Sequence, residues 1–252
     1  QTALMFVYYL ITRWKELGKI NGKEYIVKTI VTTETIKTIA ERNGVEMYDV
    51  YTGFKWIANV MRENEGKKNY IGGGEESYGF LCEDFVRDKD AVSACVILAE
   101  IAAWAKDQGL SLYQLLQKIY VEYGFSKEKG ISVVKKGKSG AEEIEAMMKK
   151  FRENPLTEIA GSKVTYFYDY STLKGKDYAE NETVTLDMPT TSNVLQYFTE
   201  DNTKVSIRPS GTEPKIKFYC EVHSKVKSID ELPEAEKAAE EKINQIKASL
   251  GI

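Results

Sequence analysis

The sequence has 252 residues, room for one large or two ordinary domains. Hydrophobic residues make up 42% and charged residues 29%, the balance of a globular chain, and a net charge of −3 excludes a general nucleic-acid surface, which needs a basic excess. Cys82, Cys95 and Cys220 are scattered, with no Cys-x-x-Cys pair; this excludes a zinc ribbon and leads us to expect reduced thiols in a cytoplasmic protein.

In chain order, residues 2–17 read as a helix ended by Gly18. "YIVKTIVTT" from Tyr25 is a β-branched strand. "TETIKTIAERNG" is an amphipathic helix with Thr33 as N-cap and Gly44 as stop. "VEMYDVYT" is a second strand, "FKWIANVMRE" a helix starting after Gly53, and "NYIGGGEESYGFLCE" a strand, a glycine loop and a strand. Helical patterns follow over 91–106 and 112–123. The first of these, "AVSACVILAEIAAWA", is interrupted by Ser93 and Glu100 and is short of the roughly 20 apolar residues a bilayer requires. It reads as a buried helix, so no membrane partner is expected.

The character changes in "YGFSKEKGISVVKKGKSG", which is polar, basic and glycine-containing, with one short strand inside. It reads as a hinge and sets a domain boundary, giving domains 1–125 and 126–252. The second has a helix ("AEEIEAMMKKFREN"), then "KVTYFYDYSTL", "NVLQYFT", "TKVSIRP" and "PKIKFYCEV" as strands, and a charged helix over 230–250. The expected fold is an α/β domain with a mixed sheet flanked by helices. A smaller α+β domain with an antiparallel sheet follows it.

Three stretches could carry chemistry. "RPSGTEPK" lies between two alternating runs. Arg208 offers a planar fork for phosphate oxygens, Ser210 and Thr212 offer hydroxyls, and Gly211 lets the backbone turn and lets an anion approach main-chain N–H groups. Lys215 and Lys217 add positive potential. A plain β-turn explains the same residues equally well. In "GGGEESYG", three glycines free the backbone and Glu75, Glu76 and Ser77 could accept from sugar hydroxyls; a solvated acidic hairpin is the alternative. In "YTGFKWI" a strand ends and a helix begins, with Lys55 in the first turn, where anions are favoured. An exposed helical lysine explains that stretch just as simply. His223, the one histidine, reads as structural, and "RDKDA" from Arg87 as a turn and helix cap.

Together, "RPSGTEPKIKFY", "GEESYG" and "YTGFK", in this order, resemble the phosphohexomutase family of phosphoglucomutases and phosphomannomutases. The resemblance covers the whole chain but only the third and fourth of the family's four domains. It implies that Arg208, Ser210, Gly211 and Thr212, with Lys215 beside them, bind the substrate phosphate, and that Glu75, Ser77 and Lys55 hold the sugar. Where many members carry Gly-His after the serine, this chain has Tyr78 and Gly79, so no role for that histidine transfers. The family's phosphoserine loop and its three-aspartate magnesium loop have no counterpart: "TTSNV" at Thr190 lacks the histidine, and no alternation of three aspartates occurs.

The chain is therefore expected to be a piece of a longer enzyme that interconverts sugar 1- and 6-phosphates, most simply of glucose, through a bisphosphate. It would be inactive alone, bind no cofactor itself, and have a hexose phosphate and the enzyme's N-terminal domains as partners; magnesium is expected only in the full-length enzyme. A stand-alone phosphosugar-binding module is the alternative.

Overall fold

The computed structural model describes residues 1–135, 137–211 and 213–252, and of Lys138 the backbone only. The chain divides into two compact units, Gln1–Phe125 with Lys225–Leu232, and Ser126–Ser224 with Pro233–Ile252.

The first unit runs α1 (Thr2–Glu16), β1 (Glu24–Thr29), α2 (Thr35–Arg42), β2 (Glu46–Val50), α3 (Phe54–Asn64), β3 (Asn69–Gly74), β4 (Phe80–Cys82), α4 (Ala91–Asp107) and α5 (Leu112–Tyr123). Its sheet has the order β2-β1-β3-β4. The first three strands are parallel, and β4 returns antiparallel to β3. Central β1 is buried at all six positions, as expected of a strand covered on both faces. Tyr25 and Val27 pack with Phe54, Ile57 and Met61 of α3. Helix α1 is buried at eight consecutive residues because it touches β3, α2, α4 and α5 at once; a helix apolar all round needs such enclosure.

Three local expectations change here. The strand begun at Tyr25 stops at Thr29, and α2 begins at Thr35 with Glu34 at the N-cap. Thr33 still serves the helix start, since its hydroxyl accepts from the Thr35 N–H. The three glycines 72–74 do not form a loop. They lie inside buried strand β3, and none has positive φ. Gly73 is required by crowding: a Cβ there would stand 2.2 Å from the Val27 carbonyl oxygen.

Helix α4 is the third change. Asp90 caps it, accepting from the Val92 and Ser93 N–H groups, as the turn-and-cap reading expected. Yet Ile101 and Ala105 are its buried residues, while Val92, Cys95 and Val96 are exposed. Its apolar composition had suggested burial on every side, but only one side meets α1, α5 and β4.

The second unit is built from β5 (Phe125–Val134), α6 (Gly137–Glu153), β6 (Glu158–Ile159), β7 (Ser162–Asp169), β8 (Lys174–Asp177), β9 (Glu182–Thr185), β10 (Leu195–Thr199), β11 (Lys204–Pro209), β12 (Lys215–Ser224) and α7 (Leu232–Leu250). The sheet order is β5-β12-β11-β10-β7-β8-β9, with β6 on β7. The expected hinge is largely a ten-residue edge strand, β5. Its charges mark an edge rather than a linker: Lys127 is held by Glu236 and Glu240 of α7 at 2.7 and 3.2 Å.

The two faces of this sheet differ. Val205 and Ile207 of β11 stand opposite Cys220 and Phe218 of β12. These four are buried, and Phe151 of α6 stacks edge-on against Phe218. The alternate positions, Lys204, Ser206 and Arg208, face away from that core. Among the described residues no helix is long and apolar enough to cross a membrane.

Candidate functional site

In the second unit the two strands framing "RPSGTEPK" are β11 and β12, and the loop is closed by the Ser210 N–H donating to the Lys215 carbonyl at 2.8 Å. Ser210 Oγ accepts from the Glu213 N–H at 3.3 Å, so part of the serine's capacity holds the turn. Gly211 is exposed, has no positive φ, and would have no heavy atom within 4 Å of a Cβ. The turn therefore does not need a glycine there, and open approach to the backbone is what the missing side chain provides. Thr212 lies outside the described residues.

Arg208 is half-buried and makes no side-chain hydrogen bond or ion pair among the described residues. Its register partner across the ladder is Lys217, so two cations stand opposite each other on one sheet face. Like charges so placed are unfavourable unless an anion lies between them. Lys217 sits 5.9 Å from the Tyr219 ring centroid. Lys215, expected beside the phosphate, is paired with Glu213, and that pairing lowers the Glu213 pKa. On the helix-covered side, a groove of about 640 Å³ separates the loop from α6. Ile144 and Met148 line it, with Lys149, Arg152 and Asn193.

In the first unit, "GEESYG" and "TGFK" meet at the carboxyl ends of the parallel strands, where open α/β sheets bind ligands. Gly53, at φ 114°, precedes α3, and its N–H donates to Glu75 Oε1 at 2.6 Å. The Glu75 carboxylate thus sits at the positive end of α3 and ties the two stretches together. The Glu75 N–H donates to the Gly79 carbonyl at 2.7 Å, closing the acidic turn, with Tyr78 at φ 60° and fully exposed at its tip. Lys55 is exposed in the first turn of α3, its Nζ 5.0 Å from the Trp56 ring centroid.

Two residues join this site that sequence reading missed. Lys89, set aside as part of a charged turn, stands 5.7 Å from the Phe54 ring centroid, and its Cδ would be 3.1 Å from a Cβ on Gly79. Thr29 donates to Glu76 Oε2 at 3.1 Å. Neither left a sequence signal, because both meet the loop only through the fold.

Nearby, Lys28 is 1% exposed and bonded to Glu34 and Asp49 at 3.0 and 2.6 Å. This ion cluster pins the ends of β1, β2 and the start of α2. Among the described residues no three His, Cys, Asp or Glu side chains converge as a metal site.

Family models assign most of this sequence. Residues 2–123 match "Phosphoglucomutase/phosphomannomutase, alpha/beta/alpha domain III", and residues 132–239 match the C-terminal domain of the same family. The chain belongs to the phosphoglucomutase/phosphomannomutase family. Curated relatives named phosphoglucomutase include one from Staphylococcus haemolyticus, 35% identical over 88% of this chain and 39% of its own length. Another, from Staphylococcus aureus, is 40% identical over 77% of this chain and 35% of its own. The chain therefore spans under two fifths of these phosphoglucomutases.

Solved structures share the fold at lower identity. The open form of pp63/parafusin from Paramecium, named a phosphoglucomutase, is 17% identical over 90% of this chain and 37% of its own, with a TM-score of 0.58. A phosphoglucomutase/phosphomannomutase family protein from Burkholderia thailandensis is 15% identical over 99% of this chain and 42% of its own, with a TM-score of 0.56.

Proposed function

We propose that this chain is the substrate-binding half of a cytoplasmic phosphohexomutase that interconverts sugar 1-phosphate and sugar 6-phosphate, with glucose as the sugar. Residues 1–125 would recognise the sugar and residues 126–252 the phosphate. The observation that carries this reading is the Arg208–Lys217 pair, two cations facing across one ladder beside an open loop. An oxyanion between them relieves their repulsion and takes charge-assisted bonds from the Arg208 fork. Ser210, Gly211 and Thr212 complete the clamp, and Lys215 acts through Glu213 to hold the loop shape. Three free cysteines, two of them buried with thiol pKa values pushed up by burial to about 12 and about 11, fit a reducing cytoplasm.

In this reading, Glu75, Ser77 and Lys55 hold the sugar. A mutase working through a bisphosphate must bind its ligand in two orientations. Hydroxyl contacts and a phosphate fork suit this, because neither distinguishes one end of the ring from the other. Gripping the phosphate that is not reacting supplies binding energy to orient the one that is. The phosphoserine that exchanges the group belongs to the rest of the enzyme. Magnesium is expected only in the full-length enzyme, and binding and orientation are this chain's share. The chain alone gives no mutase turnover, and sustained conversion of glucose 1-phosphate by it would refute this division.

Calorimetric titration with glucose 1-phosphate tests the clamp. Arg208→Ala should weaken binding by about ten- to a hundredfold, the worth of a charged hydrogen bond. Lys217→Met should weaken it less, and equal binding by all three proteins would remove the clamp assignment.

A further inference from the structure

Glu76 of "GEESYG" is not among the residues the proposed reading places on the sugar, yet it joins the turn to the end of β1. Thr29, fully buried at the end of β1, shares a 2.8 Å hydroxyl contact with Thr32 and donates to Glu76 Oε2 at 3.1 Å. The other Glu76 oxygen, Oε1, accepts from Ser77 Oγ at 3.3 Å. The chain of contacts thus runs from the sheet interior through a carboxylate to the serine at the turn.

We infer that Glu76 is a positioning residue, fixed by Thr29, which accepts the Ser77 hydrogen bond and so turns the serine into an acceptor for a ligand hydroxyl. A hydroxyl has one proton and two lone pairs. With its proton committed to Glu76, Ser77 presents lone pairs outward. Glu75 is committed through Oε1 to Gly53 and keeps acceptor capacity on Oε2. The turn then offers acceptors side by side, which selects ligands rich in O–H donors, such as a sugar ring, over ligands that only accept. Hydrogen bonds in series polarise one another, so the buried threonine pair strengthens the hold on Glu76. This inference rests on the sugar-binding reading of the turn and specifies how the turn reads its ligand.

The test compares glucose 1-phosphate with inorganic phosphate, which has no sugar hydroxyls, on this chain and on Glu76→Ala, Thr29→Val and the double variant. Glu76→Ala should weaken glucose 1-phosphate by about tenfold, one lost hydrogen bond's worth, and leave inorganic phosphate unchanged. Thr29→Val keeps the side-chain shape; it should cause a smaller loss, and the double variant should lose no more than Glu76→Ala, because both substitutions break one chain of contacts. Binding of glucose 1-phosphate that ignores Glu76→Ala, or additive losses in the double variant, would overturn the positioning role alone. No binding of glucose 1-phosphate by the unaltered chain would overturn the sugar reading and this inference with it.

Discussion

Arg208 and His223 lie on neighbouring strands and are used differently. Arg208 has no partner among the described residues, whereas His223 donates at 2.7 Å to Glu221, which also pairs with Lys204 at 3.0 Å. Lys204 and Glu221 are nearly fully buried. Burial alone would pull the His223 pKa down, but the Glu221 hydrogen bond and charge outweigh it, with help from Glu128 and against Lys204, and the net shift is upward from 6.5. Burial pushes Glu221 up, yet Lys204 and His223 bring it well below 4.5.

The signs then follow from linkage. The His223 contribution to stability is complete below pH 6.5 and is lost as pH rises through its folded pKa. The Glu221 contribution is complete above pH 4.5 and is lost as pH falls towards its folded value. Thermal unfolding of this chain and of His223→Gln should therefore differ most near pH 6 and converge in mildly alkaline buffer. A difference that grows with pH would contradict the assignment. The residue chemistry of Arg208 was legible in the sequence; the division of labour between Lys215 and Lys217 was not. Both lysines add charge on paper, and only the register and the Glu213 pairing separate them.

At the scale of elements, the sequence announced most strands and helices by period and punctuation. It misled wherever burial or crowding decided the outcome. Glycines 72–74 look like a loop because Gly usually marks one, but here they permit close packing beside β1. Gly73→Ala should cost at least about 3 kcal/mol or prevent folding, since the clash is with backbone. Gly211→Ala should change stability by no more than about 0.5 kcal/mol while weakening phosphate, because its empty space is outside the fold. Equal destabilisation by the two substitutions in chemical denaturation would contradict this contrast. Strand β5 read as one short strand inside a hinge rather than as a ten-residue edge strand, for the opposite reason. Its Lys and Glu residues resemble a linker, and the α7 carboxylates that hold Lys127 are over a hundred residues away. The polar hairpin of β8 and β9 gave no apolar alternation to detect.

At the scale of the whole molecule, the proposed reading gives each unit its own recognition element, the acidic turn in the first and the basic ladder in the second. The order of these stretches was legible in the sequence because each is a short run of distinctive residue types, "YTGFK", "GEESYG" and "RPSGTEPK". Their geometric partners, Thr29, Lys89 and Lys217, are set by topology and register. In the proposed function this chain holds a hexose phosphate by either end. Calorimetry with glucose 1-phosphate and glucose 6-phosphate, each against this chain and Arg208→Ala, tests it most directly. The account predicts saturable binding of both sugars and a loss of about ten- to a hundredfold for both on substitution. Silent titrations, or binding of either sugar that is indifferent to Arg208→Ala, would contradict it.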